Sequence, residues 1–214
     1  KDGLKTLNGW GADMLCVTCN TAHHFIDGFR GEIEKPIVHI IDETILKSQQ
    51  VCPNGAWLTA TLGTMRTGLY QRHAESSGYT FRIPDPDMQV EIHDVTDMVK
   101  AGQHKEAGEK FRGIVERLWA IEKLPIVGAC TEIPIAYANT GLDPQMGISS
   151  LEALADGGVA CGLPRDKALK YAAQTLKGTA ELVMKTGQHP GALKDAVCSP
   201  GGSTIEGVRA LEEH

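Results

Sequence analysis

The sequence of 214 residues lacks several features that mark particular classes of protein. No continuous apolar run approaches the roughly 20 residues of a membrane helix, and no signal peptide is recognisable. Six cysteines are too few for a disulfide scaffold of this length. No G-x-G-x-x-G motif follows an apolar strand, so no dinucleotide-binding unit is predicted. These absences predict a cytoplasmic protein with reduced thiols, no membrane contact and no nicotinamide cofactor.

Positive charge is also scarce, since 21 Lys and Arg residues stand against 27 Asp and Glu residues, a net charge of −6. The basic residues are scattered singly and form no stripe that could neutralise phosphates, which excludes nucleic acid as a partner. Apolar residues at 42% and charged residues at 22% are typical of a globular chain. The length corresponds to about 1.4 domains of average size, which predicts more than one structural unit.

Short apolar segments alternate with helical patterns over the first 135 residues. Strands are predicted at residues 14–17, 37–41, 57–62, 81–83 and 126–129. The helix with the clearest apolar stripe is predicted over 105–122. This alternation predicts an α/β fold, a doubly wound parallel sheet with helices on both faces. Beyond residue 150 only helical patterns occur, including one from Asp166 to Lys185, so we predict an α/β domain at 1–150 and an all-α segment at 151–214.

Two cysteines occupy matching positions in this pattern. Residues 15–21 and 126–132 each give an apolar strand, a cysteine at its carboxyl end, and a hydroxyl residue nearby. Ligands bind beyond the carboxyl ends of parallel strands, so Cys19 and Cys130 are predicted to face one pocket, where the following helix should lower each thiol pKa. Two such thiols can exchange a proton on opposite faces of a Cα atom, which is racemisation. The candidate carboxylate-binding residues are Asn20, Thr21, Thr64, Thr67 and Thr131.

Other interpretations of these cysteines are weaker. Cys16 and Cys19 form a C-x-x-C pair, but Cys16 is expected to be buried in its strand, which disfavours a redox role. Cys16 and Cys19 with His23 and His24 could suggest zinc, but no second pair has ligand spacing, so no metal site and no cofactor are predicted. His23 is expected to cap or position the loop. The cysteines expected to have no role are Cys16, Cys52 and Cys161.

Residues 19–23, Cys-Asn-Thr-Ala-His, and residues 128–132, Gly-Ala-Cys-Thr-Glu, resemble the two cysteine motifs of the cofactor-independent aspartate/glutamate racemase family. The resemblance extends through residues 40–44 and 62–67 and covers residues 1 to about 150. It implies that Cys19 and Cys130 are the two acid/base groups. The residues that it places near the substrate are Asn20, Thr21, Thr64, Thr131 and Glu132. Glu132 stands where glutamate racemases typically carry histidine, which favours aspartate. Family members begin earlier, which implies that the first lobe is incomplete here.

Residues 152–214 have a different signature, including Gly-Leu-Pro-Arg at 162–165 and Ser-Pro-Gly-Gly-Ser-Thr at 199–204. The Gly-rich turn offers free N–H groups and hydroxyls that could hold a carboxylate. This stretch resembles the C-terminal dimerisation domain of pyrroline-5-carboxylate reductase. The resemblance implies a homodimer and a carboxylate-binding loop, whose residues are Ser199, Gly201, Gly202, Ser203 and Thr204. The chain therefore resembles a chimera.

Two functions from different classes follow. The first is a cofactor-independent amino-acid racemase that acts on aspartate or a related acidic amino acid through two cysteines. The alternative is a dimerisation and carboxylate-binding module of proline biosynthesis that lacks its dinucleotide-binding domain, or a catalytically incompetent fusion of the two. Either way, the expected partners are a small-molecule amino acid and a second copy of the chain.

Overall fold

The computed structural model of this protein describes Gly9, Gly11 and residues 13–174. The strands are β1 (Leu15–Cys16), β2 (Ile37–Val38), β3 (Ala56–Thr59), β4 (Phe81–Arg82), β5 (Ile126–Gly128) and β6 (Gly147–Ser149). The α-helices are α1 (His23–Ile26), α2 (Ile40–Val51), α3 (Leu62–Thr67), α4 (Leu69–Ser76), α5 (Pro86–Lys100), α6 (His104–Ile121), α7 (Ile133–Ala138) and α8 (Ser150–Ala160). Short 3-10 helices lie at Arg30–Glu32 and Pro144–Met146. The α/β prediction is confirmed.

The strands form two parallel sheets. β1 pairs with β2, and a four-stranded sheet has the order β4-β3-β5-β6. After β3 the chain moves outward to β4 and then returns to the other side of β3 to form β5. Strand order therefore reverses between β3 and β5, and the crevice beyond their carboxyl ends is the usual ligand site of such a sheet.

Helices cover both faces of the four-stranded sheet. Leu58 of β3 belongs to a buried cluster with residues of α2 and α4, whereas its neighbour Trp57 belongs to a cluster with residues of α5 and α6. Successive strand residues point to opposite faces, so the two clusters lie on opposite sides of the sheet. The predicted stripe of α6 is buried as expected at Phe111, Ile114, Val115 and Leu118.

One predicted strand is shorter than its sequence pattern. The β-branched run at 37–41 predicts a strand, but β2 ends at Val38 and α2 begins at Ile40. The side chain of His39 caps α2 by accepting a hydrogen bond from the backbone N–H of Asp42, at 3.4 Å. A short apolar run can serve a buried helix as well as a strand, and here the cap decides between them.

The predicted domain boundary at residue 150 coincides with the start of α8. This helix packs closely on α2, because a Cβ atom added at Gly157 would lie 2.6 Å from the side chains of Val38 and Glu43. An ion pair of 3.0 Å joins Lys47 of α2 to Asp156 of α8. Residues 165–174 are helical, as predicted, and the rest of the predicted tail lies outside the described residues. The boundary itself stays a prediction.

Within the described part of the chain, no helix is both long enough and apolar enough to cross a membrane.

Candidate functional site

The candidate residues come from loops at the carboxyl ends of β1, β3 and β5. Cys19 and Thr21 follow β1, Thr64 lies in α3 after β3, and Cys130 follows β5. The hydroxyl oxygens of Thr21 and Thr64 are 2.8 Å apart and form a hydrogen bond. This contact joins the loop of the two-stranded sheet to the loop of the four-stranded sheet. Residues 43 positions apart in sequence are thereby brought together.

Asn20 is buried and held by two other elements. The hydroxyl of Tyr70 in α4 donates a hydrogen bond of 2.6 Å to Asn20 Oδ1. Asn20 Nδ2 donates to Ser150 Oγ at the start of α8, at 3.5 Å. Its amide therefore positions the loop that carries Cys19, and one amide hydrogen has no hydrogen bond in these contacts. Tyr70 and Ser150 carry no motif that would have pointed to this role.

The remaining predicted residues differ in how available their polar atoms are. Thr67 donates its hydroxyl hydrogen to the backbone carbonyl of Thr64, at 2.7 Å, so this hydrogen bond stays within α3. Thr131 is half-buried beside Cys130. Glu132 is also half-buried, directly before α7, and its negative charge acts on the thiols of both Cys19 and Cys130. Glu132 is thus the charged group that the two cysteine motifs share.

The expectation of lowered thiol pKa values is wrong. Burial raises the pKa of Cys19, hydrogen bonds from the backbone of Ala22 and Thr21 oppose the rise, and the charge of Glu132 adds to it. Burial and then the charge of Glu132 raise the pKa of Cys130 to about 12. The helices that follow have only four and six residues, too short for a dipole that offsets burial and a nearby carboxylate.

The cysteines also differ in exposure. Cys19 is exposed as a residue although protein surrounds much of its thiol, whereas Cys130 is 6% exposed and its sulfur accepts a hydrogen bond of 3.3 Å from the backbone N–H of Ile133. Cys16 is exposed, which corrects the expectation that it is buried. Alternate residues of a strand face opposite sides, and in β1 it is Leu15 that faces the core. Cys52 is buried and Cys161 is exposed.

His23 fixes the loop of Cys19. Its Nδ1–H donates a hydrogen bond of 2.8 Å to the backbone carbonyl of Cys19, which confirms the expected positioning role. Its Nε2 atom is buried and has no hydrogen-bond partner in the described part of the chain. Burial lowers the pKa of His23 to about 4, so the ring is neutral at pH 7. The His23 ring meets that of His39 edge-on, with 4.3 Å between centroids.

A second cluster extends from this histidine. Asp27, His39 and His73 each offer one possible ligand atom, and these atoms lie within 4.8 Å of one another. Of the residues that the structure describes, only these three form such a group. They come from the end of α1, the start of α2 and the middle of α4, so no local sequence spacing points to them. None of the three is among the residues that the sequence could suggest as zinc ligands, which are Cys16, Cys19, His23 and His24.

An apolar cavity of about 270 Å³ lies elsewhere, between α7 and the strands β5 and β6. Its lining has no charged side chain and includes neither cysteine. An acidic amino acid needs charged or hydrogen-bonding partners, so this cavity does not suit one. The predicted alternative loop, with Ser199, Gly201, Gly202, Ser203 and Thr204, lies outside the described residues.

Comparison with known proteins gives the family. The family model described as Asp/Glu/Hydantoin racemase matches residues 1–156. The chain belongs to this family. An aspartate racemase homologue from Pyrococcus horikoshii OT3 is similar in fold, with a TM-score of 0.61 and 20% identity over 80% of this chain and 72% of that one. The aspartate racemase of Picrophilus torridus has a TM-score of 0.58 and 23% identity, over 78% and 71%. At these identities the likeness concerns the fold.

The C-terminal part of this racemase-family chain has other relatives. A model described as pyrroline-5-carboxylate reductase dimerisation matches residues 131–214. Pyrroline-5-carboxylate reductase of Escherichia coli (strain K12) is 55% identical over 74 residues, which are 35% of this chain and 28% of that protein. The Arabidopsis thaliana protein is 58% identical over 74 residues, 35% and 27%. The chain thus spans under a third of these relatives. The two family matches overlap over residues 131–156.

Proposed function

We propose that this chain is a racemase for aspartate or a related acidic amino acid, with Cys19 and Cys130 as the two acid/base groups and without a cofactor. The observation that supports this most is the charge of Glu132, which acts on the thiols of both Cys19 and Cys130. The hydrogen bond between Thr21 and Thr64 brings together two hydroxyls from the segments that follow β1 and β3. The family match and the named fold relatives agree with the reaction class.

The reaction needs one thiolate and one thiol. The thiolate of one cysteine takes the Cα proton, the electron pair stays on the planar carbanion, and the thiol of the other cysteine donates a proton to the opposite face. Each turnover exchanges the protonation states of the two cysteines. The carbanion is stabilised when the α-carboxylate accepts hydrogen bonds, and the candidates for this are Thr21, Thr64, Thr131 and the remaining amide hydrogen of Asn20.

Glu132 gives a reason why the thiols are protonated without substrate. Burial is the main cause of the raised pKa of both thiols, and the charge of Glu132 adds to it. The α-ammonium group of an amino acid would form an ion pair with this carboxylate and cancel much of its effect on the thiols. Binding of the substrate would then lower the thiol pKa at the moment when a thiolate is needed. In this proposal Glu132 binds the substrate and couples binding to activation.

Deuterium uptake at Cα of L-aspartate in D₂O tests the proposal. We expect the wild-type chain to incorporate deuterium and to form D-aspartate. The variants Cys19→Ser and Cys130→Ser should each lose more than about 100-fold of this activity, because serine is a far poorer acid/base at neutral pH. The matched control is Cys161→Ser, which removes an exposed thiol elsewhere. Absence of uptake, or equal uptake in all three variants, would contradict the proposal.

We propose as a second candidate that the C-terminal part forms a homodimer and binds a carboxylate such as that of proline. Identity of 55% over 74 residues to a reductase favours it. Sedimentation should show a concentration-dependent dimer, and proline should raise the melting temperature. Thr204→Val should abolish the proline effect, whereas the control Thr80→Val should keep it. A monomer that is indifferent to proline would exclude this function. If deuterium uptake is also absent, the chain is an incompetent fusion.

A further inference from the structure

Two stacked imidazoles lie between two carboxylates, and one of the imidazoles contacts the ring of His23. The rings of His39 and His73 are nearly parallel, with an angle of 15° and 4.9 Å between centroids. His39 Nε2 is 3.0 Å from Asp27 Oδ1, and His73 Nε2 is 3.0 Å from Asp27 Oδ2. The Nε2 atoms of both rings therefore converge on the single carboxylate of Asp27.

The opposite edges of both rings face a second carboxylate. His73 Nδ1 is 2.6 Å from Asp42 Oδ1, and His39 Nδ1 is 3.6 Å from Asp42 Oδ2. Arg30 forms an ion pair of 3.3 Å with Asp42 and partly balances its charge. Metal-binding histidines commonly donate the N–H that is not at the metal to a carboxylate, which fixes the tautomer and the ring orientation. Asp42 is placed to serve His73 in this way, whereas His39 Nδ1 would have to exchange the hydrogen bond that it accepts from the Asp42 backbone N–H for one that it donates to the Asp42 carboxylate.

We propose that Asp27, His39 and His73 bind one divalent transition-metal ion of the Zn²⁺ type through a carboxylate oxygen and two Nε2 atoms. Two histidines and one carboxylate form an established ligand set that leaves open positions for water. Ligand atoms around tetrahedral Zn²⁺ are about 3.4 Å apart, given bonds of about 2.1 Å. The three candidate atoms already lie within 4.8 Å of one another, so small side-chain rotations are sufficient.

The burial of the ligands supports a built site. His39 is 1% exposed and fixed at the start of α2, whereas Asp27 is exposed and His73 is half-buried. The ion would thus have one rigid ligand and an open side for entry. The ligands come from α1, α2 and α4, so a bound ion would join the loop after β1 to the helices of the main sheet. This role does not depend on racemase activity.

Metal titration of the chelator-treated full chain tests the site. Isothermal titration with ZnCl₂ should show one saturable site, and Zn²⁺ should raise the melting temperature. With Co²⁺ as probe, the absorption spectrum should lack a sulfur-to-cobalt charge-transfer band, which separates this site from Cys16 and Cys19. His73→Gln and Asp27→Asn should weaken binding at least 100-fold, and Asp42→Asn about 10- to 100-fold. The matched control His104→Gln, an exposed histidine elsewhere, should bind as the wild type does.

Several outcomes would overturn the proposal. These are the absence of saturable binding, a thiolate signature in the Co²⁺ spectrum, or equal affinity in His73→Gln and the wild type. Circular dichroism of the metal-free variants checks that they are folded. Should His73→Gln fail to fold, Asp42→Asn still tests the proposal, because Asp42 is not one of the three proposed ligands. An affinity of Asp42→Asn equal to that of wild type would then contradict the proposal.

Discussion

Cys19 and Cys130 follow nearly the same sequence pattern, but their surroundings differ. Cys19 is exposed, follows a two-residue strand, and is fixed by hydrogen bonds to its loop from His23, Tyr70 and Thr64. Cys130 is buried beyond β5 of the larger sheet, and its sulfur accepts a backbone hydrogen bond. The positions of the motifs are thus similar, whereas the solvation and the protonation of the two thiols are not.

This difference shows what a strand-end cysteine motif can and cannot indicate. The motif gives the place of the thiol, because parallel strands end at one edge of the fold. The thiol pKa depends on burial and on charges that arrive from elsewhere in the chain. Burial and the charge of Glu132 raise both thiol pKa values, and the cysteines differ in that Cys19 is an exposed residue whereas Cys130 is 6% exposed.

The largest expected difference is in alkylation. At pH 8 we expect iodoacetamide to modify Cys130 much more slowly than Cys19, because a thiol with a pKa of about 12 has almost no thiolate and is also buried. Peptide mass spectrometry over time separates the two sites, and exposed Cys161 serves as the internal reference. Similar rates at Cys19 and Cys130 would show that the two environments do not differ as described.

The pH dependence of stability should show the role of His23 beside Cys19. Its pKa is near 6.5 in the unfolded chain and about 4 in the fold, so the unfolded chain binds the proton first as the pH falls. The free energy of unfolding is therefore not reduced by His23 above pH 6.5, and it falls toward pH 4 by up to about 3 kcal/mol. Urea unfolding of His23→Gln should lose this slope, and His24→Gln should keep it. An unchanged slope in His23→Gln would exclude a buried neutral histidine.

Tyr70 should have a smaller effect that is specific to the Cys19 side. Tyr70→Phe removes the donor to buried Asn20 Oδ1, and an unsatisfied buried acceptor costs about 1–3 kcal/mol of unfolding free energy. Tyr79→Phe is the matched variant, since its hydroxyl is also buried but donates to the carbonyl of Cys52. Both should be less stable, but only Tyr70→Phe should change the alkylation rate of Cys19. If both variants change that rate equally, Asn20 does not position the loop.

Much of the fold was predictable from local patterns. The strands β1, β3, β4 and β5 and the stripe of α6 follow from runs of apolar residues and their spacing. The run at 37–41 predicts one strand, but the structure ends the strand at Val38 and begins a helix at Ile40. The histidine that caps this helix has no strong sequence signal. Helix α5 and strand β6 were not predicted. Strand β6 has only three residues, between a turn that contains proline and a helix, so its sequence is too short to show an alternation of apolar and polar residues.

The candidate site was predictable only where the ends of parallel strands fix the position of a residue. Strand-end position brought Thr21 and Thr64 together as expected. The contacts of Asn20 with Tyr70 and Ser150 depend on how α4 and α8 pack, which no local pattern encodes. The thiol pKa values were mispredicted for the same reason. They follow from burial, which sequence spacing does not give.

The smallest expected effect separates the charge of Glu132 from burial. Glu132→Gln removes the carboxylate that raises both thiol pKa values and keeps the shape of the side chain. The pH profile for alkylation of Cys19 should shift to lower pH, since a nearby negative charge disfavours the thiolate and its removal lowers the thiol pKa. The control Glu109→Gln removes the same charge at an exposed site of α6 and should leave the profile unchanged. If the profile does not move in Glu132→Gln, the charge of Glu132 does not contribute to the pKa of Cys19. The two cysteines would then be coupled only through the bound substrate.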